Sequence, residues 1–450
     1  MTERNLAKTE EIAKAVQAAG GRTYYIGGFV RDRILGMPTK DVDIEAHGIE
    51  ADMLRDILSG FGEVNTIGKN FGIYSIRGYN IDIALPRQEK NTGRGHRDFE
   101  VYTDPFLGTE AAARRRDFTV NAMMEDVLTG EVIDHFGGMQ DLKDGVLRHI
   151  DDESFVEDPL RVLRGAQFAA RFGFTVAPET VELCRSIDLS ALPPERVEKE
   201  LQKGLCKSRQ PSMFFMVLRD MDQLETWFSE VGQLIGIRQD PVFHPEGDVW
   251  EHTMTVLNKA VDYRENASNP FGFMLLALTH DFGKIATTEE IKGRIHAYGH
   301  EYEGQALIDT FMHRLTGNRE LIKYVLNMAA LHMKPNMSAY GKARIKSTNK
   351  MFDEAASPED LIAFSAIDKS SEAFEGEGES NLQFLKKRLE VYKEYMARPY
   401  VKGQDLIDAG IAPDERFKDA LEYAHKLRLA GVDKESALKQ TIAFHRKKDE

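Results

Sequence analysis

Cysteine is almost missing from this 450-residue chain, which holds only Cys184 and Cys206. Two thiols cannot form a disulfide framework and their spacing matches no structural metal site, so a reducing compartment is expected. Also missing is any run approaching the roughly 20 apolar residues that a membrane helix needs. Residues 1–14 are charged and helix-like, without the apolar core of a signal peptide. These absences predict a cytoplasmic protein with no membrane attachment. Positive charge is not in excess either: the net charge is −14. That argues against a general nucleic-acid coat, whose affinity comes from neutralising phosphates, and DNA is not an expected partner. It leaves room for RNA held by basic residues gathered locally, with Arg114-Arg115-Arg116 and the Lys/Arg residues from Arg196 to Arg209 as candidates. No internal repeat is visible.

What the chain does have is length and an ordinary globular composition, 42% hydrophobic and 29% charged. At this size one core does not suffice, and two to four domains are expected. Residues 1–150 mix signals: a helix over 10–19, strands over 22–26 and 41–45, and β-rich runs over 73–76 and 79–84 split by the hairpin signal Arg77-Gly78. Beyond Ile150 helical periodicity dominates, over 158–172, 178–187, 194–205 and 213–220. A histidine-rich section opens at His244-Pro245-Glu246-Gly247. Residues 372–380 read as an exposed polar loop before a helix over 381–396 and a final segment, 399–450. The expected fold is α+β, a small head with a mixed or antiparallel sheet followed by mostly helical regions. The boundaries are drawn as 1–150 (catalytic head), 151–228 (helical neck), 229–380 (histidine-rich domain) and 381–450 (tail).

The most informative stretch is Tyr25-Ile26-Gly27-Gly28-Phe29-Val30-Arg31-Asp32, followed by Asp41-Val42-Asp43. Paired glycines let backbone N–H groups approach a phosphate. On a strand Asp41 and Asp43 share a face, placed to hold divalent metal. Asp82, between Ile81 and Ile83, is the best third carboxylate, with an exposed edge-strand acid as the plain alternative. Two Mg²⁺ ions held there suit phosphoryl transfer, one activating a 3′-hydroxyl and one steadying a triphosphate. Arg31 is placed to meet a phosphate or to pair with Asp32 or Asp43. In Arg115-Arg116-Asp117-Phe118-Thr119-Val120-Asn121-Ala122 the guanidinium of Arg116 suits phosphate and the carboxylate of Asp117 a sugar hydroxyl. An ordinary helix start with a basic flank fits that run as well.

Glu157-Asp158-Pro159-Leu160-Arg161-Val162-Leu163-Arg164 carries the selectivity argument. Pro159 suits a first helical turn with Asp158 as cap, and Asp158, Arg161 and Arg164 recur every three residues along one face. A carboxylate beside a guanidinium offers an acceptor next to a donor. That matches the amine donor and ring acceptor of both cytosine and adenine and opposes the reverse order on guanine and uracil. Leaving buried polar groups unpaired discriminates strongly. An intrahelical salt bridge is the simpler alternative.

Together with Asp134-His135-Phe136-Gly137-Gly138 and Glu195-Arg196-Val197-Glu198-Lys199-Glu200-Leu201, these motifs closely resemble the bacterial-type (class II) tRNA nucleotidyltransferases, the CCA-adding enzymes, and the related bacterial poly(A) polymerases. The resemblance covers roughly the first 200 residues. It implies CTP and ATP as substrates, Mg²⁺ as cofactor and a tRNA 3′ end as acceptor. It implies metal at Asp41 and Asp43, sugar and phosphate contacts from Arg116 and Asp117, and base reading by Asp158 with Arg161. Residues 68–72 look like the strand turn of the CCA enzymes, and residues 87–104 resemble the loop used in switching from C to A. A segment of the tail, Val401-Lys402-Gly403-Gln404-Asp405-Leu406-Ile407, resembles the family's tRNA-contacting tail.

A second chemistry lies in the histidine section. His252, the pair His280-Asp281 and the distant Asp368 resemble the His…His-Asp…Asp pattern of the HD phosphohydrolases. Imidazoles and carboxylates suit a divalent transition metal such as Mn²⁺, Ni²⁺ or Co²⁺. His300 and His332 are placed to extend the site to a second metal, while His296, like them, has an equally good structural reading. The resemblance implies phosphatase or 2′,3′-cyclic phosphodiesterase activity on RNA ends. The expected protein is thus a CCA-adding enzyme with an HD domain. Competing readings are a poly(A) polymerase, a CC-only or A-only enzyme, an alarmone synthetase/hydrolase, and a non-catalytic tRNA-binding protein.

Overall fold

The computed structural model describes residues 2–39, 41–67, 72–91, 99–369 and 375–447. The chain divides into two compact units, Met1–Trp227 and Phe228–Glu450. The fold is α+β, with the main sheet confined to the first unit.

Among the described residues of the first unit, nine strands form the main sheet and one two-stranded ribbon. They are β1 (Arg22–Ile26), β2 (Val42–His47), β3 (Val64–Ile67), β4 (Ile73–Ile76), β5 (Ile81–Ala84), β6 (Arg87–Asn91), β7 (Phe99–Thr103), β8 (Met124–Asp126) and β9 (Val132–Ile133). Seven of them build a mixed sheet in the order β3-β4-β5-β2-β1-β8-β9, and β6 and β7 pair separately. The β2–β5 pairing is parallel, with Asp43 opposite Asp82 and Ile44 opposite Ile83. Asp82 therefore sits on an internal strand rather than an edge. Residues 79 and 80 expected in that strand form the turn before it, and the helix read over 10–19 extends over Thr2–Ala18. The anticipated turn at 68–72 and switching loop at 87–104 fall partly outside the described residues, at 68–71 and 92–98.

Between β1 and the helix Gly28–Ile34 the chain turns at Gly27, whose φ of 64° and ψ of −133° few L side chains adopt. After the sheet, the helices Leu160–Phe172, Pro178–Arg185, Pro194–Cys206 and Ser212–Asp220 follow, close to the predicted ranges. Leu160–Phe172 buries Val162, Leu163, Ala166 and Ala169 against its neighbours, so its first turn is rigidly held.

The second unit is almost wholly helical. Pro270–Thr279 is buried on every side from Phe271 to Thr279, as expected of a helix apolar all round. It packs between Val249–Arg264 and Arg319–Leu331. The polar stretch read as a loop up to residue 380 is helical from Glu375, as the start of Glu375–Ala397. Residues 372–374 of that reading lie outside the described part. Val401, Leu406, Ile411, Ala420, Ala424 and Ala437 form a separate small core for the last three helices. Among the described residues no helix is long and apolar enough to cross a membrane.

Candidate functional site

The first unit holds a cavity of about 750 Å³. All twelve head and neck residues singled out in the sequence line it: Gly27, Gly28, Arg31, Asp41, Asp43, Asp82, Arg116, Asp117, Asn121, Asp158, Arg161 and Arg164. They come from β2 and β5, from Asp41 in the bend just before β2 rather than on the strand expected over 41–45, from the glycine turn and the helix Gly28–Ile34, from the segment before β8, and from Asp158 and the helix Leu160–Phe172 that follows it. Ten basic side chains face this space against six acidic ones, in a chain whose net charge is −14.

Burial and the nearby Asp82 and Asp41 charges push Asp43 up to about 6, against the pull of Arg116. Burial and Asp41 likewise raise Asp82. Asp43 and Asp82 thus resist ionisation, which a divalent cation between them would relieve, although the donor atoms of Asp41, Asp43 and Asp82 do not all lie within 4.8 Å of one another. Arg116 Nη1 lies only 3.0 Å from where a Cβ on Gly27 would stand, so the bare backbone there admits the guanidinium.

Asp117 is buried and saturated. Its Oδ1 accepts from Phe118 N and Asn121 Nδ2, both at 2.8 Å, and its Oδ2 accepts from Arg164 Nε at 2.7 Å and Nη2 at 2.6 Å. Burial alone would raise its pKa, but Arg164 and these hydrogen bonds hold it below the usual carboxylate range. With about four lone-pair positions on a carboxylate, none remains for a sugar hydroxyl while Arg164 stays. Arg31 does not pair with Asp43. It donates from Nε to Asp32 Oδ1 at 2.8 Å and from Nη1 to Asn121, and it stacks 4.5 Å over Phe172.

The face formed by Asp158, Arg161 and Arg164 contains no internal salt bridge. Pro159, rather than Asp158, is the N-cap; Asp158 Oδ1 accepts from Leu160 N at 3.2 Å, and its Oδ2 accepts from Arg196 Nη2 at 2.9 Å. Arg161 donates to the carbonyls of Ser154 and Arg115. Both side chains keep further hydrogen-bonding positions toward the cavity. Sequence reasoning missed Glu45 as a lining residue. It is fully buried, 2.9 Å from His47 Nε2 and 3.5 Å from Arg115 Nη2, and these neighbours outweigh burial to keep its carboxyl low. The period-2 relation to Asp43 was the available signal.

The second unit gathers His252, His280, Asp281 and Asp368 in one buried cluster. His252 Nε2 is 3.1 Å from Asp368 Oδ1 and 3.4 Å from His280 Nε2, and His280 Nε2 is 3.3 Å from Asp281 Oδ2. Asp281 Oδ1 turns to His300 Nε2 at 3.2 Å, and His300 Nε2 is 3.2 Å from His332 Nε2. Two donor sets therefore share Asp281: His252, His280 and Asp281, and Asp281, His300 and His332, each with donor atoms within 4.8 Å of one another. His296 stands aside, stacked on Tyr298. His280, His300 and His332 direct Nδ1 at the carbonyls of Ala277, Ala297 and Ala329, so each presents Nε2 to the cluster. Burial would lower His280, but Asp281 and Asp368 outweigh it and push it up to about 10, while burial and the neighbouring His280 charge bring His332 down to about 4. Lys284 Nζ stands 2.7 Å from Asp281 Oδ2 and from Gln239 Oε1.

Glycine makes this cluster possible. A Cβ on Gly283 would fall 1.9 Å from the carbonyl oxygen of His300, and one on Gly304 would fall 2.7 Å from Gly283 N. The backbones touch, which brings His300 against Asp281.

Residues 23–148 match the family model of the poly A polymerase head domain. The multifunctional CCA protein of Laribacter hongkongensis is 40% identical over 315 residues, 69% of this chain and 74% of that protein. That of Nitrosospira multiformis is 39% identical over 315 residues, 69% of this chain and 73% of its own length. Among solved structures, the Thermotoga maritima CCA-adding enzyme complexed with tRNA aligns with a TM-score of 0.62 at 21% identity, over 96% of this chain and 93% of that one. The Bacillus stearothermophilus CCA-adding enzyme in complex with CTP gives 0.67 at 20% identity, over 98% and 97%. Shared motifs, a shared fold and relatives this similar over more than two thirds of their length place the chain in one family: it belongs to the bacterial CCA-adding enzymes.

Proposed function

We propose that the protein adds C, C and A from CTP and ATP to the 3′ end of tRNA, without a nucleic-acid template, in the cytoplasm. The observation that carries this reading is the single cavity lined by the Gly27-Gly28 turn, the carboxylates of Asp41, Asp43 and Asp82, and the Asp158/Arg161 pair. Mg²⁺ held by those carboxylates would supply Lewis-acid activation of the 3′-hydroxyl and of the triphosphate. Arg116 over the glycine turn meets the phosphates. Asp158, oriented by Arg196, accepts from the exocyclic amine of cytosine or adenine, and Arg161 donates to the adjacent ring nitrogen. Arg164 releases one acceptor position on Asp117 when a ribose hydroxyl binds. The head is read as residues 1–150, the neck as 151–228 and the tRNA-contacting tail as 381–450. The test is incorporation into tRNA ending at the discriminator base, with each nucleotide alone and then CTP plus ATP. Two C and one A, with GTP and UTP refused, is the expected result. A long A tail would make it a poly(A) polymerase, and addition stopping at CC would make it a partial enzyme.

A second activity is favoured by the two donor sets sharing Asp281. Residues 229–380 are read as an HD-type phosphohydrolase domain that holds a divalent transition metal and removes 3′-phosphates or opens 2′,3′-cyclic phosphates. Such ends lack the free hydroxyl that nucleotide addition needs. Asp281→Ala is expected to abolish this hydrolysis with nucleotide addition retained, and Asp41→Ala to do the reverse. Metal-loaded protein that leaves 2′,3′-cyclic AMP and RNA terminal phosphates untouched would sink the hydrolase reading.

A further inference from the structure

His252 differs from the other histidines of the cluster in what holds its second nitrogen. His280 and His332 stand at helix C-caps, where last-turn carbonyls lack helical partners, and His300 follows a turn that offers the Ala297 carbonyl. His252 lies in the first turn of Val249–Arg264, and helix starts present N–H groups rather than carbonyls. The carbonyl three residues back, on Val249, already accepts from Thr253 Oγ1 at 2.8 Å. A side chain has to serve instead. Gly247, at φ 130°, lets the chain turn so that Glu246 lies over this first turn, with Oε1 2.7 Å from His252 Nδ1. His244 Nδ1 approaches the same oxygen at 3.1 Å, and its ring meets that of His252 edge-on at 4.7 Å.

A neutral imidazole has one N–H and one lone pair. If Nε2 of His252 faces a cation beside Asp368 and His280, Nδ1 carries the proton and Glu246 accepts it. We propose that Glu246, braced by His244, is a positioning residue that fixes the tautomer and orientation of His252 for a metal held with His280, Asp281 and Asp368. This rests on the metal-centre reading of the cluster. It also sets aside His244, Glu246 and His252 as a third cation site, although their donor atoms too lie within 4.8 Å of one another. One ring nitrogen cannot both donate to Glu246 and ligate.

The test is a Co²⁺ titration of chelator-stripped full-length protein, followed by visible absorption, whose ligand-field bands report nitrogen ligation. Such hydrogen-bonded carboxylates typically contribute about 10–100-fold in metal affinity. Glu246→Ala is expected near the upper end. Glu246→Gln, which keeps a neutral acceptor, is expected near the lower end with shifted bands, and His244→Ala to lose less than Glu246→Ala. Nucleotide addition and the melting curve, unchanged in all three, exclude misfolding. Glu246→Ala that binds Co²⁺ with the parent's affinity and bands overturns the proposal with the metal centre intact. A parent that binds one Co²⁺ more than His244→Ala makes Glu246 a ligand and also overturns it. A parent without nitrogen-ligated Co²⁺ bands removes the metal centre itself, and the proposal with it.

Discussion

Asp117→Asn isolates what the saturated carboxylate contributes to stability. The substitution preserves shape and keeps one oxygen for Phe118 N and Asn121, but it turns an amide toward the guanidinium of Arg164. Breaking a buried ion pair by altering one partner costs about 3–5 kcal/mol. Arg164 is 32% exposed, so water screens part of the loss and the lower end, about 3 kcal/mol, is expected. In a unit spanning Met1–Trp227, that corresponds to about 6–12 °C in melting temperature. Scanning calorimetry of the full chain would read it as a downward shift of one transition only. Adding Arg164→Leu should recover much of the loss, because no uncompensated guanidinium remains. The depressed Asp117 carboxyl also makes this contribution pH-dependent: it is present above about pH 4 and lost as pH falls through the lower folded-state value. If Asp117→Asn melts within about 1 °C of the parent, or the double variant is no better than the single one, the locking role is wrong.

Because Asp43 titrates near 6, protons and Mg²⁺ compete for it, and the Mg²⁺ concentration giving half-maximal nucleotide addition should rise about tenfold per pH unit below that point. Asp43→Asn should remove this dependence along with most activity. His280 holds its proton up to about 10 in the metal-free cluster, so Mn²⁺ binding at pH 8 should release protons and tighten as pH rises. Calorimetry in two buffers of different ionisation heat reads the release, and identical heats would refute it. Gly283→Ala places a Cβ against the His300 carbonyl and should lower the melting temperature of the second unit, with weaker metal binding and unchanged nucleotide addition. Full metal affinity in that variant would mean that the backbone contact does not hold His300 in place.

The strands and helices around the head were legible because their signals are local: β-branched and aromatic residues in β1, sequence alternation in β2, glycines at the turn, and prolines at helix starts such as Pro178 and Pro194. What could not be read was pairing at long range. Arg164 reaches Asp117 across 47 residues and Arg196 reaches Asp158 across 38, distances over which no periodicity rule operates. Spacing placed Asp158, Arg161 and Arg164 on one face but could not say that each would find its partner elsewhere. The start of the helix at Glu375 was missed because glycine and glutamate together resemble a solvated loop, and only continuity with the apolar positions further along reveals it. In the histidine section the sequence supplied the donors. The approach of Gly283 to Gly304, which sets their distances, has no signature short of the folded backbone.

The excess of basic over acidic side chains in the first-unit cavity gives an acidic protein an electrostatic filter. A net charge of −14 repels polyanions at long range, whereas the basic excess in the recess attracts a phosphate that reaches it. An RNA end that enters the recess gains an attraction that the net charge of the chain does not offer. Discrimination between an end and a middle would then begin before any base is read. It should weaken with added salt, as the repulsive surface and the attractive recess are screened together.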